Sequence, residues 1–177
     1  MTNQIFDSFE RTQFSDEIFA ILGRALTVAT RFDSTCKNMS RLPLYKTSLI
    51  TKYALSNNEY NEMIQKISNK YNNLNRAIKS LKLNDDIETV LNDARESRNE
   101  LIHEATLVAT SGFDYMNSNA LAEFLNYIEN LVLKIIKGDT IISTIISTYN
   151  KEEVSDYQFS RKYEKKYINW VMERFGK

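Results

Sequence analysis

Apolar residues recur along most of this chain at alternating intervals of three and four, the pattern of helices that bury one face. Ile18, Ile21/Leu22, Ala25, Val28/Ala29, Phe32 and Cys36 form the first stripe. Ser15 with Asp16 and Glu17 reads as its start, because acidic side chains complement the positive end of a helix. The stripe predicts a helix to about Met39, ended by Leu42-Pro43-Leu44, since proline removes a donor and restricts its predecessor. Residues 45–58 are weaker, with a short helix around Leu49 to Leu55. Tyr60, Met63/Ile64, Ile67, Tyr71, Leu74, Ile78 and Leu81 predict one continuous helix with Lys66, Lys70, Arg76 and Lys79 outside.

Asn84-Asp85-Asp86 reads as the cap of the next helix, so these carboxylates belong to a helix start rather than to a metal site. Its stripe is Ile87, Leu91, Ala94, position 98, Leu101/Ile102, Ala105 and Val108/Ala109, fading by Thr110-Ser111-Gly112. A loop from Gly112 to Ser118 carries Phe113 and Tyr115, rings that plug the end of a bundle or stack on bases. Leu121, Phe124/Leu125, Ile128, Leu131/Val132 and Ile135 predict a further helix, interrupted at Gly138-Asp139. The β-branched run from Thr140 to Ser147 has no strand to pair with and is read as helix. Ser155-Asp156 opens the last helix, with Tyr163, Tyr167, Trp170/Val171 and Arg174/Phe175 on one side and Gly176 closing it. The expectation is an all-α chain, an antiparallel up-and-down bundle of four to six helices. It is read as a single domain over 1–177, with residues 1–14 (Ile5, Phe6, Phe9, Phe14) packed on the bundle.

Composition narrows the picture. Four glycines and one proline in 177 residues are too few for a sandwich or barrel, and 42% apolar with 26% charged residues is globular. Basic and acidic side chains number 23 each, so a diffuse electrostatic footprint for nucleic acid is absent and any RNA contact must be local. Cys36 is the one cysteine; it excludes an internal disulfide, suits a reducing cytoplasm, and reads as a packed thiol. No apolar run reaches membrane-spanning length, and Asp7 and Glu10 replace the basic start of a leader. A cytoplasmic protein without membrane contact is expected.

The anomaly is Arg98, a guanidinium on the apolar stripe, which cannot lose its proton and needs a partner or a wet interface. Five residues on stands His103, the only histidine. Arg98-Asn99-x-x-x-His103, on a helix of an all-α domain, resembles the HEPN superfamily, with the match specific from Ala94 to Glu104 and architectural elsewhere. The resemblance implies a metal-independent ribonuclease, or an inactive relative, working as a homodimer. It also implies a toxin or phage-defence setting, with an antitoxin as regulatory partner and no cofactor.

The residues suit that chemistry. RNA carries its own nucleophile, the 2′-hydroxyl, so cleavage needs a base, an acid for the leaving 5′-oxygen, and positive charge on the transition state. An imidazole supplies acid–base work and a guanidinium fork suits phosphate oxygens. Arg98 and His103 are the catalytic candidates, and Asn99, one turn before the ring, could orient it. Arg95, Lys162 and Lys166 are candidate RNA contacts; no metal ligands are assigned. On an ideal helix Arg98 and His103 lie roughly 140° apart. The helix is distorted near the motif, or Arg98 of one subunit meets His103 of the other across a two-fold axis, or the long Arg98 stem turns sideways.

Three other readings compete. A non-catalytic helical module would bind a protein or RNA partner through the same face. Glu100-x-x-His103 is half of a di-iron ligand set, which only a dimer completes. Glu96, Glu100 and Glu104 form an acidic row that would repel RNA or receive a basic partner. In the last helix, Arg161-Lys162-Tyr163-Glu164-Lys165-Lys166-Tyr167 is either a phosphate-and-stacking surface or an amphipathic helix burying its aromatics.

Overall fold

A computed structural model describes residues 13–110 and 117–173, with side chains from 15 to 103 and from 117 to 173. The expected docking of the N-terminal segment, the loop rings Phe113 and Tyr115, and the closing Gly176 lie outside these residues. Six α-helices and no strand are found among those described: α1 Gln13–Thr51, α2 Asn57–Ser68, α3 Leu74–Ser80, α4 Asp85–Thr110, α5 Ser118–Asn150 and α6 Arg161–Val171. Short 3-10 turns, Lys52–Ala54 and Asp156–Phe159, precede α2 and α6. The chain is an all-α bundle.

Cross-helix contacts give the directions. Tyr127 of α5 bonds Glu100 of α4, while Gly138 of α5 sits against Ala94, so α4 and α5 run antiparallel. Gly138 also faces Phe32 of α1, and Lys46 reaches Asn150, so α1 and α5 run parallel. Arg24 reaches Val171 and Arg31 reaches Tyr167, which sets α6 antiparallel to α1. The long elements therefore run up, down, up, down, with α2 and α3 forming a short excursion between α1 and α4.

The stripes read from sequence are the core. Ile18, Ile21, Leu22, Ala25, Val28, Ala29, Phe32 and Cys36 are buried on α1, Leu91, Ala94 and Leu101 on α4, and Phe124, Ile128, Leu131, Val132 and Ile135 on α5. Asn84 caps α4 as expected, its Oδ1 accepting from Ile87 N at 3.0 Å.

Four expectations are corrected. Helix α1 does not end near Met39 but passes through Pro43 to Thr51. Pro43 faces solvent, and buried Met39, Ser40 and Ser48 anchor the helix on both sides of it. The Ser40 hydroxyl donates to Ala77 O of α3 at 3.0 Å, a tertiary tie that offsets one lost ladder bond. The continuous helix from Tyr60 to Leu81 is instead two, because Tyr71 is left-handed (φ 58) and Asn73 caps α3 through Arg76 N. Gly138-Asp139 does not interrupt α5; the glycine is a crossing point, where a Cβ would come within 3.0 Å of Phe32 Cε2 and closer still to Ala94 Cβ. Ser155-Asp156 opens only the 3-10 turn, and α6 begins after Ser160, whose hydroxyl accepts from Tyr163 N.

Candidate functional site

Arg98 is tolerated on its stripe because α1 presents a carboxylate opposite. Asp33 Oδ2 lies 3.5 Å from Arg98 Nη2 and 2.8 Å from Lys37 Nζ, one turn along α1. Arg98 Nη1 donates to Asn99 Oδ1 at 3.0 Å. These groups form one wall of a polar cleft of about 230 Å³, completed by Asn72 and Asn73 from the α2–α3 turn, Leu74 and Asn75 from the start of α3, and Arg95. Arg41 of α1 pins that turn, donating to Lys70 O at 2.7 Å and to Asn72 Oδ1 at 2.9 Å. The left-handed Tyr71 is thus held in a fixed turn that carries the asparagines to the cleft.

Three cations, Lys37, Arg95 and Arg98, face one carboxylate, Asp33, so the cleft carries a positive excess. Arg95 is partly engaged by Glu96 at 2.9 Å and by Asn92 at 3.2 Å. Arg98 Nε and Asp33 Oδ1 are buried and have no hydrogen-bond partner among the described residues. A partly exposed guanidinium beside several amides is equipped to hold an oxyanion. Behind the cleft, burial pushes the Cys36 thiol far up, helped by the charges of Asp139 and Asp33; this is a packed thiol and no nucleophile.

The remaining site residues fall in different places. Asn99 and Arg95 join Arg98 at the cleft, and the Asn99 amide oxygen bonds the guanidinium. His103 is exposed, lies on the same unbroken helix, and does not line the cleft. The local distortion that would bring it beside Arg98 is not present, which leaves roughly 140° between them within one chain. Glu100, in the acidic row beside the ring, accepts from Tyr127 Oη at 2.6 Å and so braces α4 on α5. Lys162 and Lys166 are exposed on α6. Among the described residues no three His, Cys, Asp or Glu side chains are grouped to hold a metal ion, and no helix is long and apolar enough to cross a membrane.

Asp33, Lys37, Asn72 and Asn73 escaped the reading by residue type. The signals were present: an Asp–Lys pair spaced four apart beside the Phe32 stripe, and the asparagine-rich stretch from Asn69 to Asn75. A second ionic group was equally silent. Asp139 is buried where α5 crosses α1, with Arg31 Nε 3.3 Å away, and Arg31 Nη1 donates to Tyr167 Oη at 2.7 Å. Burial raises the Asp139 carboxyl, with Arg31 offsetting part of the rise. Burial likewise raises Tyr167. Comparison with protein-family models, curated proteins and solved structures finds no match to this chain.

Proposed function

We propose that the chain is a HEPN-type, metal-independent endoribonuclease, acting as a homodimer in a toxin or phage-defence role under control of an antitoxin. The observation that carries this is Arg98: a guanidinium at a polar, positively biased cleft, steadied by Asp33 and Asn99, with 26% of its side chain exposed. An RNA phosphate entering the cleft would meet that exposed part. In this reading His103, which is exposed, comes from the other protomer, and a two-fold axis beside α4 would carry each ring to the opposite cleft.

In this reading the 2′-oxygen attacks phosphorus while one imidazole takes its proton. The bond to the 5′-oxygen breaks, the imidazolium so formed returns its proton to the leaving oxygen, and a 2′,3′-cyclic phosphate and a 5′-hydroxyl result. Arg98 holds the non-bridging oxygens as charge builds on them. Loss of Arg98 costs about 10²–10³-fold in rate and loss of His103 about 10²–10⁴-fold. The test is cleavage of RNA in excess chelator by wild type, Arg98→Ala and His103→Ala. Equal rates from all three, with helical content preserved, sink the assignment.

One observation favours the second reading, a non-catalytic helical module that binds an RNA or protein partner through this face. Arg98 is already bonded within the chain, and a structural ion pair with Asp33 would account for its place on the stripe. That reading expects RNA left intact by the purified dimer.

A further inference from the structure

The last helix carries a row of rings that the core takes up only in part, with Tyr167 packed against it and Trp170 exposed. Tyr157, in the preceding 3-10 turn, meets Tyr163 edge to face at 5.8 Å between centroids. Tyr163 and Tyr167 follow at 5.6 Å, and Tyr167 and Trp170 at 6.4 Å. On α6 only Ile168 and Val171 are buried. Tyr163 and Tyr167 are half-buried at the border, while Trp170 is 41% and Tyr157 42% exposed. A helix built only to bury its aromatics would not leave the indole in water. Beside it a cleft of about 210 Å³ opens, lined by Tyr167 and Trp170.

Cations flank this row on both sides. α6 holds four basic residues against one acidic residue, in a chain whose formal net charge is zero. On an ideal helix Lys166 and Lys162 lie about 60–100° from Tyr163, on its solvent side. Across the row stands Arg31 of α1, half-exposed, bonded to the Tyr167 hydroxyl and paired with Asp139, so among the described residues the free cations of this surface are the lysines. Rings in one line and cations in the next match a polymer that alternates flat bases with phosphates. An acidic peptide would use the cations but leave the exposed indole face without a stacking partner.

We propose that Tyr167, Trp170, Lys162 and Lys166 form a binding platform for single-stranded nucleic acid, with bases stacking on the rings and phosphates running along the lysines. This platform is separate from the Arg98 cleft. Arg31 and Asp33 are two residues apart on α1, roughly 200° around the helix, so the two surfaces occupy different flanks of α1. It therefore stands or falls independently of the nuclease reading.

Trp170 is the only tryptophan, so its emission reports this surface alone. The full chain is titrated with short oligouridylate, with oligothymidylate of equal length, and with a duplex of matched length. Oligothymidylate lacks a 2′-hydroxyl and is not cut by the proposed chemistry, which separates binding from turnover. Both single strands are expected to quench the emission saturably, and the duplex is not. Lys162→Gln with Lys166→Gln, both exposed, should lower the steepness of log affinity against log salt by about 1.4. Labelled strands should bind Trp170→Ala about fivefold or more weakly, with Trp170→Phe near wild type because a stacking ring remains. The proposal is overturned if single strands leave the emission unchanged, if the duplex binds as well, or if neither substitution shifts affinity. Equal quenching by an oligoglutamate peptide also overturns it and assigns the row to a protein partner.

Discussion

Asp139 is the residue whose chemistry most directly changes with pH. Its carboxyl is buried, one oxygen lacks a partner among the described residues, and its pKa is raised above the ordinary 3.8 by desolvation. A carboxyl raised in the folded state favours the protonated form there. Below about pH 3.8 both folded and unfolded chains hold the proton, and Asp139 costs nothing. As pH rises the unfolded chain releases its proton first, so stability falls until the folded carboxyl also ionises, and the penalty is complete above that point. Asp139→Asn removes the charge while keeping the shape, and the half-exposed Arg31 it leaves behind is solvated. The variant should melt higher than wild type at pH 7, by about 2–4 °C per kcal/mol recovered in a chain of this size. The gap should close toward pH 4. A lower melting temperature at pH 7 would mean that the Arg31 pair outweighs desolvation. The burial of Asp139 was not legible in the sequence, and the spacing of Asp33 and Lys37 did not name Arg98 as a partner, because a carboxylate's environment is set by the helix packed against it. Arg98 was legible, since a permanent cation on an apolar stripe is anomalous whatever lies opposite.

At the scale of elements, the faces of α1, α4 and α5 were readable because burial imposes its own period. Interruptions were not readable, because proline and glycine act through surroundings that periodicity does not report. Pro43 looked like a terminator but lies on a solvated flank, while Gly138 looked like a breaker but is the contact that lets α5 approach Ala94 and Phe32. The real break, at Tyr71, carries no glycine and hides within an apolar rhythm. Gly138→Ala improves helix propensity yet forces a methyl group into Ala94 and Phe32, and should destabilise by about 1–3 kcal/mol. Ala94→Gly in the same chain vacates that space. Chemical denaturation of the four chains of the double-mutant cycle should show the pair less unstable than the two losses added. Strict additivity would place the strain elsewhere. At the end of α5, Lys151 is left-handed (φ 61) and its amide, with that of Glu152, caps the last carbonyls. Lys151→Gly should relieve the Cβ conflict and stabilise by about 0.5–1 kcal/mol, read as a shift in denaturation midpoint at constant slope.

For the whole molecule, the decisive quantity is the angle between Arg98 and His103. Because α4 is unbroken from Asp85 to Thr110, one protomer holds the guanidinium in its cleft and the ring on another face. In the proposed composite site, cleavage uses two chains, with each site built from Arg98 of one and His103 of its partner. That arrangement makes an unusual genetic prediction. Arg98→Ala and His103→Ala dimers are each inactive, since every site in them lacks one group. When the two variants are co-folded, the heterodimer contains one site with neither group and one site with both. Activity should return toward about half the wild-type value per heterodimer, in proportion to its mass-spectrometric abundance, and chelator should not change it. Sites contained within a single chain would give no recovery at any mixing ratio, because no protomer in the mixture carries the complete pair. The same assay separates the two functional readings. A binding module without catalysis yields no cleavage from wild type, so there is nothing to restore, whereas a composite nuclease is lost in each parent and regained only in the mixture.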